Sequence, residues 1–170
     1  WPGKGIVLIN YFPVEKPKIE TGEPYSPTLL SEERNRLRKK YGEKGYLDTR
    51  VRAIRTPNLT TNQIDLRFGI TENNKFTVNS IKVRGNEKTK TIAIIRELAL
   101  APGETFDLLR METSEARLKN TRFFEKVSLD DEPIASQDPE LQNTRRNLVV
   151  DVKEGRTGHV SFGVGFSTLE

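Results

Sequence analysis

Gly22-Glu23-Pro24-Tyr25 and Gly103-Glu104-Thr105-Phe106 are two versions of one pattern, in which a glycine and a glutamate are followed, one residue further on, by an aromatic ring. The agreement continues outward from this stretch, since Arg36-Leu37 in the first half of the chain matches Arg117-Leu118 in the second. Flanking residues that repeat together indicate two copies of one structural module. The sequence therefore predicts a tandem of related domains, with insertions confined to loops.

The size and composition suit two small domains. The 170 residues divide into units of about 75 to 85 residues, each able to bury only a modest core. Hydrophobic residues make up 34% and charged residues 31%, and the net charge is only +4. No stretch approaches the roughly 18 consecutive apolar residues of a membrane-spanning helix. The mild basic excess is typical of a solvated surface, with contact to an acidic partner or anionic lipid as the alternative.

In the first unit the pattern predicts one helix followed by two antiparallel strands. Ser26-Pro27 supplies an N-cap and a proline at the first helical position, and the helix is expected to end near Tyr41. Alternating apolar and polar residues predict strands over 50–55 and 63–70, joined through Pro57-Asn58. The side chains expected to face the core are Leu30, Leu37, Tyr41, Val51, Ala53, Ile64, Leu66, Phe68 and Ile70.

The second unit is predicted to be a complete module with the order β-α-α-β-β. A strand over residues 76–84 precedes a short helix, capped by Thr89 or Thr91, and a longer helix that begins at Asp107. Another strand, a polar loop over residues 130–146 and a last strand complete the unit. The side chains expected to face the core are Val78, Ile81, Val83, Ile92, Ile95, Leu98, Leu108, Met111, Leu118, Val127, Leu129, Leu148, Val150 and Val152.

This order predicts an α+β fold for each unit, with a three-stranded mixed sheet and two helices on one face. The other sheet face and the outer strands then stay exposed. We expect one domain over residues 1–74, a second over 75–156, and a separate strand over 157–170. Residues 1–15 match the repeat poorly, so the first unit is expected to be truncated or divergent, with its first strand and first helix missing or unrecognisable.

The last residues carry a strand pattern of another kind. Val160, Phe162, Val164 and Phe166 alternate with glycine and serine. Over about nine residues this is the length and the pattern of a tilted strand in a transmembrane barrel. A half-buried strand of an ordinary domain would have a similar pattern, so the alternation by itself leaves both interpretations open.

The residues that catalysis or metal binding would require are scarce. The chain has one histidine and no cysteine, so no cysteine–histidine pair or histidine metal cluster can form. The consecutive acids Asp130-Asp131-Glu132 are more typical of a solvated loop. Gly155-Arg156-Thr157-Gly158 matches the clamp of KH-type RNA-binding domains, but it follows a strand instead of a helix, which favours a plain turn. We therefore expect a protein that is not an enzyme and needs no cofactor or metal.

A series of short motifs carries a family resemblance. In chain order they are Phe76-Thr77-Val78, Ile81-Lys82-Val83-Arg84-Gly85-Asn86, Ile95-Arg96-Glu97-Leu98, Pro102-Gly103-Glu104, Arg117-Leu118, Phe123-Phe124 and Val150-Asp151-Val152-Lys153-Glu154. Together they resemble a POTRA domain. The continuation from Gly158 to Phe166 is similar to the entry into the barrel of outer-membrane assembly factors of the BamA family. From about Lys16 onward, the two units thus resemble the last two POTRA domains before that barrel.

The resemblance implies a scaffold on the periplasmic side of the outer membrane. Such a scaffold would receive unfolded outer-membrane proteins by β-augmentation, in which a client strand joins a sheet edge, and would pass them to the barrel for insertion. The second strand of each unit would be the binding edge. It maps here to Arg52, Ala53, Ile54, Val127, Ser128 and Leu129. Accessory lipoproteins would dock near Arg96 and Glu97, and periplasmic chaperones are expected as further partners.

Two other functions are compatible with the sequence. A POTRA pair from a two-partner secretion transporter would recognise one dedicated exported substrate, so selectivity among clients would distinguish it. A basic RNA-binding domain would bind single-stranded RNA with an affinity that falls as salt rises. Absence of RNA binding at low salt would exclude this last function.

Overall fold

The computed structural model describes residues 6–8, 18–20, 22 and 24–155, the first of these ranges by its backbone only. The predicted terminal strand at 157–170 lies outside these residues, as does most of the glycine turn before it. None of the helices in the described part of the chain has the length and apolar character needed to cross a membrane.

The first unit contains four elements, with the third strand in the middle of the sheet. They are β1 (Ile6–Leu8), α1 (Pro27–Gly42), β2 (Arg50–Asn58) and β3 (Gln63–Thr71). Strand β3 pairs in parallel with β1 and antiparallel with β2. The first unit therefore has a first strand, although its three residues are too few to show a clear pattern in the sequence. The segment that would hold a first helix lies outside the described residues.

The second unit repeats this sheet and contains three helices in its described residues. Its elements are β4 (Thr77–Arg84), α2 (Thr91–Ile95), α3 (Leu108–Asn120), β5 (Phe124–Pro133), α4 (Pro139–Thr144) and β6 (Arg145–Glu154). The strand order is β4-β6-β5, with β4 parallel and β5 antiparallel to the central β6. The predicted α+β class and the three-stranded mixed sheet are confirmed.

The predicted polar loop over residues 130–146 is wrong. Strand β5 continues through Asp131 and Glu132, α4 follows, and β6 already begins at Arg145. The acidic side chains stay in the strand because each has a cationic partner. Asp131 is paired with Arg146, and the Glu132 carboxylate accepts hydrogen bonds from Lys82 and Arg84.

The predicted turn at Pro57-Asn58 is also misplaced, since β2 pairs with β3 through both residues and the turn follows at residues 59–62. An outer strand tolerates proline because the missing N–H can be on the side without a neighbour. The short helix α2 has Lys90, not a threonine, at its N-cap position, without a side-chain cap. Ile94 is its buried residue, whereas Ile92 and Ile95 are exposed, because five residues are too few for periodicity to define a face.

The longer helices begin as predicted. The Ser26 hydroxyl accepts a hydrogen bond from the Leu29 amide at 3.4 Å, and the Asp107 carboxylate accepts from the amides of Leu109 and Arg110 at 2.9 and 3.2 Å. Both caps satisfy amides that have no partner within the helix. Each helix then packs on its sheet through the predicted apolar side. Leu30, Leu37 and Tyr41 of α1, and Met111 and Leu118 of α3, are buried.

The aromatic residue of the repeated glycine-glutamate pattern anchors each core. Phe106 is fully buried in the second unit, where a side chain of this kind contributes about 2 to 3 kcal/mol. Its counterpart Tyr25 packs against the smaller first core and is half-buried, and its hydroxyl accepts a hydrogen bond from Arg55 at 2.8 Å. Among the described residues, the second unit therefore has the larger group of buried apolar side chains.

Gly85, which follows β4, has a conformation and an environment that require glycine. Its φ is +82°, and an added Cβ would overlap the carbonyl oxygen of Val152 in β6. Gly103, in the repeated pattern, has a similar φ of +88° but no atom within 4 Å of where a Cβ would lie. The two positions therefore share the backbone strain that a side chain would cause and differ in the steric overlap.

We predict that Gly85→Ala lowers the free energy of unfolding by about 3 kcal/mol, since backbone strain and overpacking add. Gly103→Ala is the matched control and should cost only the strain, about 1 to 2 kcal/mol. Urea unfolding followed by circular dichroism measures both. Equal losses in the two variants would contradict the close approach of Gly85 to β6.

Glu154 at the end of β6 ties the sheet to the loop before α2. Its carboxylate accepts hydrogen bonds from the Thr89 amide at 2.7 Å and from the Lys88 amide at 3.0 Å. The bond from Thr89, together with a smaller one from Lys88, lowers the pKa of Glu154 below its usual value of 4.5, against a partial opposing effect of burial. The charged form is therefore the one that stabilises the fold.

Because the pKa of Glu154 is lowered in the folded state, its contribution to stability should be fully present above about pH 4.5 and should be lost as pH falls through the folded-state pKa. We predict that Glu154→Gln flattens the acid side of the stability profile, measured by urea unfolding between about pH 3 and 6. Glu87→Gln, on the same exposed loop, is the control. An identical slope in wild type and Glu154→Gln would contradict this role.

Candidate functional site: the free sheet edges

The two predicted binding segments both lie at the margin of a sheet. Arg52, Ala53 and Ile54 are in β2, and 127–129 are in β5. Each strand has its only described neighbour on one side, β3 for β2 and β6 for β5. The structure therefore brings each trio to a corresponding edge of its unit.

The β5 edge combines a firmly anchored face with an open margin. Val127 and Leu129 are buried in the core of the second unit, opposite Val152 and Val150 of β6. Ser128 between them is half-buried on the opposite face of the sheet, paired in register with Asp151. Buried alternate side chains set the register of β5, so its backbone is held in an extended conformation at the margin.

The margin of β4, at the other side of the same sheet, is closed at its start by the repeated glycine-glutamate pattern. The Val78 amide donates to the Glu104 carbonyl oxygen at 2.8 Å, and the Gly103 amide donates to the Val78 carbonyl oxygen at 2.7 Å. The Phe106 amide donates to the Phe76 carbonyl oxygen at 3.0 Å. This stretch thus occupies the place of a neighbouring strand at the start of β4, a role that sequence reasoning did not assign to it.

No comparable segment covers β5. Within the part of the chain that the structure describes, the backbone of residues 126–130 makes hydrogen bonds only to β6. In an antiparallel pair, alternate residues direct their N–H and C=O groups away from the neighbour. The outer side of β5 therefore presents a row of backbone donors and acceptors that the described chain leaves to other partners.

The β2 edge is open in the same way but has a different surface. Ala53 is half-buried against the first core, whereas Arg52 is exposed and Ile54 is 53% exposed on the opposite face. On β3, Arg67 is in register with Ile54 and Gly69 with Arg52. An added Cβ at Gly69 would meet no atom within 4 Å. This face of the first sheet is therefore accessible and basic around one exposed isoleucine.

In the second sheet the corresponding face is covered by charged side chains. Lys82 and Arg84 of β4 both contact the Glu132 carboxylate of β5, at 3.2 and 3.0 Å, across the central strand. Val149 of β6 lies between these strands, in register with Lys82, and is buried. Edge β5 therefore lies beside a face of paired charges, in contrast to β2.

Several contacts join the two units near these edges. The Phe76 amide donates to the Gly45 carbonyl oxygen at 2.9 Å, and Lys39 of α1 pairs with Glu112 of α3 at 2.6 Å. The guanidinium of Arg146 lies 4.0 Å from the centre of the Phe76 ring and is paired with Asp48 of the first unit. Backbone, ion-pair and cation–π contacts thus connect the first unit to the start of the second.

The predicted docking residues Arg96 and Glu97 lie directly after α2, far along the chain from both edges. Arg96 is exposed and Glu97 is half-buried. Exposed apolar side chains occur nearby in α2 and before β5, with Ile92 at 60% and Phe123 at 52% exposure. Arg96, Glu97 and Phe123 also line one small cavity of about 100 Å³. Phe124, the first residue of β5, lines the same cavity, but none of residues 127–129 does, so Arg96 and Glu97 lie beside the start of β5 and not at the predicted binding trio.

The titratable side chains of the described residues that have a lowered pKa make structural contacts. No group of three or more histidine, aspartate or glutamate side chains there could hold a metal ion. The lowered pKa of Glu104 is caused by a hydrogen bond from the Ala101 amide and by Arg110, which are structural contacts within a turn.

The POTRA family, described as a surface antigen variable number repeat, matches this chain twice, at residues 7–73 and 76–155. The first match includes most of β1 and all of α1, β2 and β3. Both copies of the module therefore agree with the family pattern, including the copy whose beginning the sequence left unrecognised.

Curated relatives are outer membrane protein assembly factors. The chain is 30% identical over 129 residues to BamA of Nitratidesulfovibrio vulgaris, an alignment that covers 76% of this chain and 16% of that protein. It is 26% identical over 138 residues to BamA of Neisseria meningitidis, which covers 81% and 16%. The chain thus spans about a sixth of the length of these relatives.

Solved structures share the fold. A crystal structure of Haemophilus influenzae BamA POTRA3-5 has a TM-score of 0.71 at 20% identity, covering 80% of this chain and 52% of that one. BamA from Haemophilus ducreyi lacking POTRA domains 1-3 has a TM-score of 0.73 at 20% identity, covering 82% and 25%. At these identities the agreement shows a common tandem fold.

The open margin of β5 generates a prediction for amide hydrogen exchange. Amides of the central β6 should be protected along its length, whereas alternate amides over residues 126–130 should exchange rapidly because they point away from β6. Val78, at the closed margin of β4, is the internal control and should be protected by its bond to Glu104. Uniform protection along β5 would show that its outer side is covered.

Proposed function

This chain belongs to the POTRA family, and we propose that it forms part of an outer-membrane protein assembly factor, receives unfolded outer-membrane proteins at its sheet edges and passes them on for membrane insertion. It lies on the periplasmic side of the outer membrane, as the POTRA domains of BamA do. The proposed contact is β-augmentation, in which a client segment becomes an additional strand beside β2 or β5.

The contrast between the two margins of the second sheet is the observation that carries this proposal. The β4 margin is closed at its start, over residues 76–78, by residues 103–106, whereas the β5 margin takes no backbone hydrogen bond from the described chain beyond those to β6. A rigid strand with free backbone groups favours association with another extended chain. Because Val127 and Leu129 already anchor β5 in the core, it would not have to rearrange when a client strand pairs with it.

Pairing through the backbone suits a partner that differs in sequence from one case to the next. Strands of outer-membrane proteins alternate apolar and polar side chains. When a client strand pairs with β5, its apolar side chains would lie at the margin of the core beside Val127. Its polar side chains would lie over the charged face that contains Glu132 and Lys82. The main chain would supply most of the affinity, and the alternation would supply the register.

The proposal includes partners at a second surface. Accessory lipoproteins of the assembly machinery would dock around Arg96 and Glu97, where exposed Ile92, Ile95 and Phe123 supply apolar contact area. Such a mixture of apolar and charged residues is typical of protein interfaces. Periplasmic chaperones would deliver clients to the edges, so their release would be coupled to strand pairing at β2 or β5.

A titration with a strand-like peptide tests the edge. We expect a ten-residue peptide from an outer-membrane strand to shift or broaden the backbone amide signals of Arg52, Ala53, Ile54, Val127, Ser128 and Leu129 in a nitrogen-15 correlation spectrum. Signals of β6 should change less, because both sides of that strand are already paired. No change at either trio would overturn β-augmentation.

The matched control is the same peptide with its backbone nitrogens methylated, so that neither of its edges can donate a hydrogen bond. Its side chains are unchanged, but its main chain cannot donate to β5, so binding should weaken by about tenfold or more. Equal binding of both peptides would mean that side chains, not backbone, hold the client. Binding of one peptide among several unrelated strands would favour a scaffold dedicated to a single exported substrate.

A further inference from the structure

A polar crevice lies between α1 and the beginning of β2. It has a volume of about 760 Å³. Its lining includes Arg34 and Arg38 of the helix, Arg50 at the start of the strand, and Asn73 and Asn74. The two helical arginines are four residues apart and so share one face of α1. Two arginines of α1 and the first residue of β2 therefore line one opening.

These arginines have no acidic partner in the described part of the chain. Arg34, Arg38 and Arg50 are exposed and take part in none of the ion pairs or side-chain hydrogen bonds there. Asp48, the one acid lining the crevice, is paired with Arg146 of the second unit. The crevice consequently carries an excess of positive charge that the described residues leave unpaired.

The crevice is continuous with the β2 edge. Arg50 is the first residue of β2 and Val51 also lines the crevice, so a strand added beside β2 would end at the arginines. Arg52 and Arg55 continue the basic character along the same strand. At the C-terminal half of β5 the charges are balanced instead, because Asp131 is paired with Arg146 and Glu132 with Lys82 and Arg84.

We propose that the arginine crevice binds carboxylates of an extended segment that pairs with β2, so that the first unit selects client strands with acidic residues at one end. Arginine suits this role because its planar guanidinium can donate two parallel hydrogen bonds to a carboxylate. The selection rests on the proposed function of β2 as a client edge. It adds a substrate class to that edge, namely acidic extended peptides.

A protein carboxylate fits the crevice better than an anionic membrane surface does. Membrane-binding basic surfaces combine arginine or lysine with exposed apolar side chains that enter the lipid. The apolar residues that line the crevice, Leu47 and Val51, are half-buried and pack against the cores. No large exposed hydrophobic side chain of the described residues lines it.

The test compares three ten-residue peptides that share an alternating apolar core and end in three acidic, three neutral or three basic residues. Binding to the whole chain is followed by nitrogen-15 spectra at low salt. We expect the acidic peptide to bind β2 at least about fivefold more tightly than the neutral one, and the basic peptide to bind it more weakly. The double variant Arg34→Glu and Arg38→Glu should reverse this order while leaving binding at β5 unchanged.

Arg117→Glu is the control, because Arg117 is an exposed arginine of α3 that no described ion pair uses. This variant should leave the order of the three peptide affinities at β2 unchanged. Equal binding of all three peptides at β2 would overturn the selection and leave β-augmentation intact, whereas no binding at β2 or β5 would overturn both. Vesicles containing phosphatidylglycerol that displace the acidic peptide only when both arginines are present would overturn the protein-carboxylate assignment in favour of a membrane surface.

Discussion

The last strand of each unit occupies the middle of its sheet, and the other features of the fold depend on this placement. Strands β3 and β6 pair in parallel with the first strand of their unit and antiparallel with the second. The second strand, although it precedes the central strand along the chain, must then lie at a margin. Every unit with this order has two margins, and the chain has to close each of them or leave it available.

The two margins of the second unit are treated differently. The repeated glycine-glutamate pattern pairs with the start of β4 and at the same time buries Phe106, so the same four residues cover the start of this margin and fill the core. Strand β5 receives no such cover in the described chain, yet its inward side chains Val127 and Leu129 are buried in the core. An anchored strand with an open margin loses little conformational entropy when a partner pairs with it.

The two units are copies in topology but not in charge. Acidic residues of β5 are accommodated in the sheet by Lys82, Arg84 and Arg146, so the second unit neutralises its own strand charges. In the first unit, buried Glu33 is paired with Arg36 and accepts a hydrogen bond from the Lys18 amide, whereas the arginines around the crevice are left without such partners. Duplication thus supplies two similar edges, and the charges around each edge differ, so we expect the two edges to favour different client segments.

Much of the fold follows from local patterns. The repeat, the starts of α1 at Ser26 and of α3 at Asp107, the buried side of both helices and the alternation of β3 were all predictable, because caps and periodicity depend on residues a few positions apart. The family resemblance placed the candidate edges in β2 and β5, and their position at the sheet margins agrees with it. Their use by a client stays a prediction.

What the sequence could not determine depends on residues that are distant along the chain. The buried face of α2, the continuation of β5 through Asp131 and Glu132, the closing of β4 by Gly103 and the arginine crevice all arise where separate segments meet. A local pattern records which side of an element is apolar. Only the tertiary structure decides which neighbour pairs with a backbone edge or neutralises a charge, because both interactions act over a few ångströms in space, whatever the separation in sequence.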